Sequence, residues 1–349
     1  MKFGVHYQSY SGTEPVRWYR ETLEEAVHAE ALGFESIWPV EQHFIADLSI
    51  LSAPLLFLAA AAERTKTLRL GIAVILLPLS HPVRIAEEVA TLDVLSNGRV
   101  EFGIGRGAIP AHFSGFGVPQ NESRDRFLES LDVVLRAWQE GTLSYHGRFF
   151  EFDNLNVVPK PVQRPHPPLR VACNSADTFE LMGQLGYKIF AASQVNPYHR
   201  IKEYLAIYDQ GRAVAGHQGR TEDDFTLLTP LFVAEDTARI HREMAPSVRH
   251  LLQTATSLLE SAAVPAKAAA HLREVAERSR RLTYERMSET MAIFDTPERC
   301  IERLGRLQEE FKMERTICWF NPGGRVPHER VMQSMELFAA KVMPWFVKN

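Results

Sequence analysis

Strand-like segments and helix-like stretches with a period near 3.6 alternate along this chain in a regular order. Residues 3–6 predict a strand, and residues 16–32 a helix stopped at Gly33. Residues 36–40 predict a second strand, followed by an Ala/Leu-rich helix over 50–64. Residues 70–77 form a short run rich in β-branched side chains, which suits a strand covered on both faces. Pro82 opens the next helix and Gly98 closes it, the favoured asymmetry of helix ends, and residues 100–104 return as a strand. A helix over 123–139 puts Phe127, Leu131, Val134, Leu135 and Trp138 on one face. Strands at 169–173, 189–192, 225–233 and 316–320 follow, with helices at 175–185, 197–214, 295–311 and 326–346. Eight βα units in strict order predict an α/β fold whose parallel sheet closes into a (β/α)8 TIM barrel, one domain over 1–349.

Two segments interrupt the alternation. Residues 143–158 predict a β-hairpin insertion with His146 and Gly147 at its turn. Residues 236–294, rich in Ala, Arg and Glu with recurrent Leu, predict a helical insertion between strand 7 and helix 7. It is either a packed decoration or a lid over the barrel mouth.

Composition narrows the function. Apolar residues make up 45% and charged residues 23%, as in an ordinary core-forming chain. A net charge of −4 gives no electrostatic case for nucleic acid. No apolar run reaches the roughly 18 residues of a membrane span, and the first residues lack the apolar core of a signal peptide, so a cytoplasmic protein is expected. Cys173, Cys300 and Cys318 are odd in number and far apart, which favours reduced thiols. Thirteen histidines form neither an HxH nor an HExxH pattern, so no metal site is expected.

Candidate chemistry concentrates in residues 68–107. Gly103, Gly105 and Gly107 let a backbone approach a ligand closely, while Arg106 supplies a positive fork at a strand end. That is an anion pocket of the kind α/β enzymes use for phosphorylated ligands. A surface ion pair is the alternative for Arg106. No strand–GxGxxG–helix unit is present, so NAD(P)H binding in the Rossmann manner is not indicated. Tyr7, Trp38, Phe44, Phe113 and Phe116 fall near the expected barrel mouth and suggest an apolar organic substrate, with core packing as the other reading. His6, at the end of the first strand, is a further candidate for the pocket.

Four segments in register, residues 31–44 (ALGFESIWPVEQHF), 68–107, 172–181 (ACNSADTFEL) and 334–346 (SMELFAAKVMPWF), resemble the bacterial luciferase family of flavin-dependent monooxygenases. The similarity spans residues 2 to about 346 and is nearest to the alkanal monooxygenase subunits. The family fold is a TIM barrel with FMN at its C-terminal face. The resemblance implies that Arg106 grips the FMN phosphate together with Ser175 and Thr178 at a helix start, a position physically suited to phosphate. Helix capping is the alternative for the two hydroxyls. Asn174 stands where the luciferase catalytic subunit has an acid. Ala73 and Val74 match a pair joined by a non-proline cis peptide beneath the flavin. The resemblance also implies reduced FMN from a separate flavin reductase, reaction with O2 through a peroxyflavin, and a homodimer through the helices at 50–64 and 83–95. One departure concerns chemistry: Gln42 replaces the family's first histidine, leaving His43 as the titratable group of the Glu-Gln-His-Phe segment. Aldehydes and ketones are the expected substrates. A deazaflavin-dependent oxidoreductase and a non-catalytic flavin-binding partner subunit are the alternatives.

Overall fold

The computed structural model describes residues 1–9, 14–261 and 280–347. Eight strands form its centre: β1 (Lys2–Tyr7), β2 (Ser36–Pro39), β3 (Arg69–Gly71), β4 (Val100–Gly105), β5 (Leu169–Ala172), β6 (Ile189–Ala192), β7 (Phe225–Val233) and β8 (Arg315–Trp319). Each pairs in parallel with its neighbours, and β8 returns to β1 to close the cylinder. β4 and β7 are buried at every position, so their side chains do not alternate between apolar and polar as those of a half-exposed strand would. The outer ring is α1 (Pro15–Ala31), α2 (Pro54–Arg64), α3 (Pro82–Leu95), α4 (Ser123–Ala137), α5 (Ala176–Leu185), α6 (Tyr198–Val214), α7 (Pro297–Phe311) and α8 (His328–Lys341). α7 shows the logic of the ring: Pro297 sits in its first turn and Cys300, Leu304, Leu307 and Phe311 form its buried stripe.

The barrel interior is filled by side chains. The Trp38 indole lies across it, and a Cβ built on Gly71 would sit 2.2 Å from that ring. Gly103 is equally constrained, because a Cβ there would meet the Ile72 carbonyl oxygen at 1.7 Å. Two glycines read from sequence as anion-pocket or strand residues thus make room for the core.

Three expectations need correction. Residues 70–77 are not one strand: β3 ends at Gly71, the Ala73–Val74 peptide is cis, and Ile75–Leu76 rejoins β4 before a 3-10 turn at Leu77–Leu79. Apolar periodicity reports burial, and both halves are buried, so the change of backbone direction left no mark in the pattern. The insertion is not wholly helical either. It contains helices Thr237–Ser261 and Tyr284–Thr290, then a strand, Ile293–Asp295, that pairs in parallel with the end of β7. Over its first helix it is a packed layer, since Ser247 donates to the Pro322 carbonyl at 2.6 Å and His250 Nδ1 bonds the Gly323 carbonyl at 2.8 Å. Residues 262–279, where a lid would have its tip, lie outside the described residues. Finally, the hairpin pairs Leu143–His146 with Glu151–Leu155, so its turn falls at 147–150 with His146 still in the strand.

A charged network closes the N-terminal end of the barrel. Glu101 on β4 is 3% exposed and receives Arg69 Nε at 2.7 Å, Arg315 at 3.0 Å and Arg170 Nε at 3.4 Å. Arg315 also meets Glu35 at 2.9 Å, and Arg170 and Lys188 both grip Asp223. Burial pushes the Glu101 carboxyl up, but Arg315, Arg170 and Arg69 together bring it below the usual carboxylate range. Asp223 is held at about 2, its desolvation outweighed by Arg170 and Lys188. The opposite, C-terminal end of the barrel is thereby left for ligands.

Candidate active site

Arg106 follows β4 directly. Its guanidinium is half-buried and makes no hydrogen bond or ion pair with any described residue. Desolvation lowers its pKa, while the nearby Asp177 raises it and Arg124 lowers it. A cation removed from water without a hydrogen-bonded counter-ion is costly, and an anion drawn to the same spot removes that cost.

The other half of the pocket is the start of α5. Ser175 caps the helix in an extended conformation, but its hydroxyl makes no capping bond. It donates to Asp177 Oδ1 and lies 3.0 Å from the Thr178 hydroxyl, itself one turn into the helix. Asp177 in turn pairs with Arg124, at the start of α4. Ser175 and Thr178 thus meet at the start of α5, and Asp177 beside them interacts electrostatically with both Arg106 and Arg124, a carboxylate and a second arginine that the sequence reading does not single out. Asp177 was visible within the segment at 172–181, but its partner Arg124 is 53 residues away in sequence. Two arginines, one aspartate and the positive end of a ten-residue helix leave the pocket net positive.

Buried oxygens without partners mark the rest of the mouth. Asn174 Oδ1 after β5, Gln194 Oε1 after β6 and Gln42 Oε1 after β2 are all buried and bond no described group. Each orphan of this kind costs about 1–3 kcal/mol, so three at the C-terminal strand ends point to a ligand rich in N–H and O–H donors. FMN offers such donors on its ring and ribityl chain, and a phosphate for Arg106. The residues present fit that group. The cis peptide expected at Ala73–Val74 is present, with Val74 packed beside Gly105, whose Cβ would fall 2.7 Å from it.

The segment after β2 builds the opposite wall. Glu41 is buried; its Oε1 contacts His43 Nε2 at 2.8 Å and its Oε2 accepts the Leu76 backbone N–H at 3.0 Å. The His43 backbone N–H donates to His112 Nε2 at 3.3 Å. His112, on the short helix Pro110–Gly115, is held at about 4 by burial and by the nearby His43, so it is neutral at physiological pH. Neither Glu41 nor His112 was singled out from sequence, because both owe their roles to contacts across loops. His6 is also neutral, held at about 4 by burial; its Nδ1 bonds the Trp38 carbonyl at 2.8 Å, and it lines a cavity of about 280 Å3 with Trp319 and Asn321.

Of the five aromatic residues placed at the mouth, three belong to the core. Trp38 fills the barrel, Tyr7 packs on Phe57 of α2, and Phe113 joins Leu76 and Leu79 in a small buried cluster. Strand alternation explains two of them, since β1 and β2 place successive side chains inward and outward. Only Phe44 and Phe116 form an exposed rim, with ring centroids 5.1 Å apart and His43 edge-on to Phe116 at 4.8 Å. Phe44 holds a left-handed backbone, φ 60°, rare for a bulky residue and common where a site fixes a side chain.

The profile of the family described as luciferase-like monooxygenase matches residues 1–311. An alkanal monooxygenase alpha chain from the Kryptophanaron alfredi symbiont is 26% identical over 99% of this chain and 98% of its own. The oxygenase component of a flavin-dependent trigonelline monooxygenase from Acinetobacter baylyi is 32% identical over 52% of this chain and 49% of its own. Among solved structures, the monooxygenase RslO1 from Streptomyces bottropensis superposes with a TM-score of 0.82 at 27% identity, covering 99% of this chain and all of that one. The FMN-bound oxygenating constituent of 3,6-diketocamphane monooxygenase from Pseudomonas putida reaches 0.81 at 19% identity over 99% and 98% of the two chains. An F420-dependent secondary alcohol dehydrogenase reaches 0.76 at 19% identity over 100% and 99%. The last two share the fold.

Proposed function

This chain belongs to the luciferase-like monooxygenase family and is a flavin-dependent monooxygenase, and from that premise we propose that it is a two-component oxygenase using reduced FMN and O2 on an apolar aldehyde or ketone. The observation that supports this reading best is Arg106, a half-buried cation with no hydrogen-bonded partner among the described residues, set beside the start of α5.

In this reading Arg106 and Arg124 neutralise the phosphate, while Ser175, Thr178 and the first N–H groups of α5 bond its oxygens. Asp177 holds Arg124 in place and gives it up, in part, to the anion. Asn174, Gln194 and Gln42 accept hydrogen bonds from the ribityl and ring groups, and Ala73 and Val74 form the apolar bed of the ring. Bound reduced FMN supplies two electrons and the carbon at which O2 is activated. His43 holds or moves a proton at the mouth, and Phe44 and Phe116 keep water away from the apolar substrate. The absence of a Rossmann motif, and the relative named as an oxygenase component, support a separate flavin reductase as electron source. Leu56 on α2 and Val94 and Leu95 on α3, exposed at 75%, 45% and 56%, support a homodimer through those helices. No helix among the described residues is long and apolar enough to cross a membrane, and a cytoplasmic site of action fits the reading.

The test is a coupled assay with NADH, a flavin reductase, FMN and a panel of medium-chain aldehydes and cyclic ketones under 18O2. One labelled oxygen atom per product molecule is expected, with turnover abolished when the reductase is omitted. A flavin-binding protein that yields no labelled product from any panel member, and no O2 uptake beyond that of the reductase, would instead be a partner subunit, as Gln42 suggests.

A further inference from the structure

The family's first histidine is absent here, yet the mouth retains a histidine held by a carboxylate. We infer that Glu41 is the positioning residue of this site: it fixes the tautomer of His43 so that Nδ1 is the nitrogen that exchanges protons with the ligand.

The geometry assigns each hydrogen. Glu41 is 6% exposed and accepts the Leu76 N–H on Oε2. Its Oε1 faces His43 Nε2 at 2.8 Å, and a carboxylate can only accept, so Nε2 bears a hydrogen. The lone pair is then left on Nδ1. His112 flanks the ring from the other side and leaves this arrangement undisturbed. Its Nε2 accepts the His43 backbone N–H, so it is neutral and places no positive charge beside His43. Among the described residues, Glu41 and His112 are the titratable groups that face this imidazole, Glu41 from its own loop and His112 from the short helix Pro110–Gly115. A carboxylate behind an imidazole holds the ring and stabilises the imidazolium that forms when Nδ1 takes a proton.

One feature gives Glu41 a second task. The Leu76 N–H it binds belongs to the short strand immediately after the Ala73–Val74 peptide, so one carboxylate ties the imidazole to the flavin bed. Both elements keep one spacing as long as both oxygens are engaged. Gln42, one residue away, has no titratable group; its orphaned Oε1 can accept a hydrogen bond but cannot exchange a proton. The proton-handling role has therefore moved by one position, to His43, with Glu41 as its support.

Glu41→Gln is the informative substitution. Glutamine has the same size but one acceptor, and the site holds two donors, Leu76 N–H and His43 Nε2–H. Facing Leu76 with its oxygen, the amide must turn its NH2 to His43, which then moves its hydrogen to Nδ1.

The test is long-range 1H–15N NMR of histidine-labelled, flavin-free protein, with H43Q used to assign the His43 signals. Wild type is expected to show a pyrrole-like Nε2 and a pyridine-like Nδ1 at His43, and E41Q the reverse or an average of the two. In the coupled assay kcat should fall about 10- to 100-fold with KM unchanged, and E41D should recover part of it. A pyridine-like Nε2 in wild type overturns the inference without any variant, and an E41Q spectrum identical to wild type overturns it as well. The inference rests on the proposed function only for what His43 acts upon: failure of FMN to bind refutes that function and leaves the NMR result to decide this one.

Discussion

Arg106→Ala is expected to weaken FMN binding by about 10- to 150-fold, since hydrogen bonds to a charged group contribute about 1.5–3 kcal/mol and 1.4 kcal/mol is a factor of ten. Riboflavin, which has the ring and ribityl chain but no phosphate, should bind wild type and variant equally. The reason lies in the state of the guanidinium before any ligand arrives. Arg106 is half-buried and has no hydrogen-bonded partner among the described residues, so an incoming phosphate forms new charge-assisted bonds without breaking old ones. Arg124 differs, because it must loosen an existing pair with Asp177, and its loss should cost less. Quenching of flavin fluorescence measures both constants. Equal losses of FMN and riboflavin affinity on removing Arg106 would place it at the ring or in the scaffold, away from the phosphate.

At the other end of the barrel, Glu101→Gln should destabilise the fold by about 3–5 kcal/mol, the range for removing one partner of a buried ion pair. Glu101 sits among Arg69, Arg170 and Arg315, and the last two are 1% and 3% exposed. Glutamine fills the same space but leaves those two cations without their shared negative charge. The pH dependence follows from the direction of the shifts. Glu101 and Asp223 are both lowered in the folded state, Asp223 to about 2. Their contribution is present above the unfolded carboxylate values of about 4 and is lost as pH falls toward 2. Urea midpoints of wild type should fall across that window, and those of E101Q should start lower and fall less. A variant with the wild-type midpoint at pH 7 would show that the network is neutral to stability.

The barrel was legible because its strands are short apolar runs at regular spacing, each followed by a helix with its own start and stop residues. Pro82, Gly98 and Pro297 mark those ends locally, and local signals survive in a sequence. Arg106, Ser175 and Thr178 are phosphate candidates on the strength of the resemblance, with the helix start giving an independent physical reason. What escaped notice depends on closure of the barrel. Glu101 binds Arg315 across 214 positions, and a charge at a buried strand position reads as an interruption until its partners are known. Trp38 and Phe44 lie six residues apart, yet one fills the interior while the other stands at the rim, a difference that only the fold creates. Glu41 lies in the segment at 31–44, but its importance comes from Leu76 N–H, a group every residue but proline carries and no sequence pattern marks.

The most direct test of the phosphate-clamp reading is an anaerobic titration of the purified protein with reduced FMN and, separately, with reduced deazaflavin cofactor, followed by absorbance and equilibrium dialysis. One equivalent of reduced FMN per chain, displaced by neither riboflavin nor deazaflavin at equal concentration, is the expected result. Tight uptake of deazaflavin with no retention of FMN would contradict it.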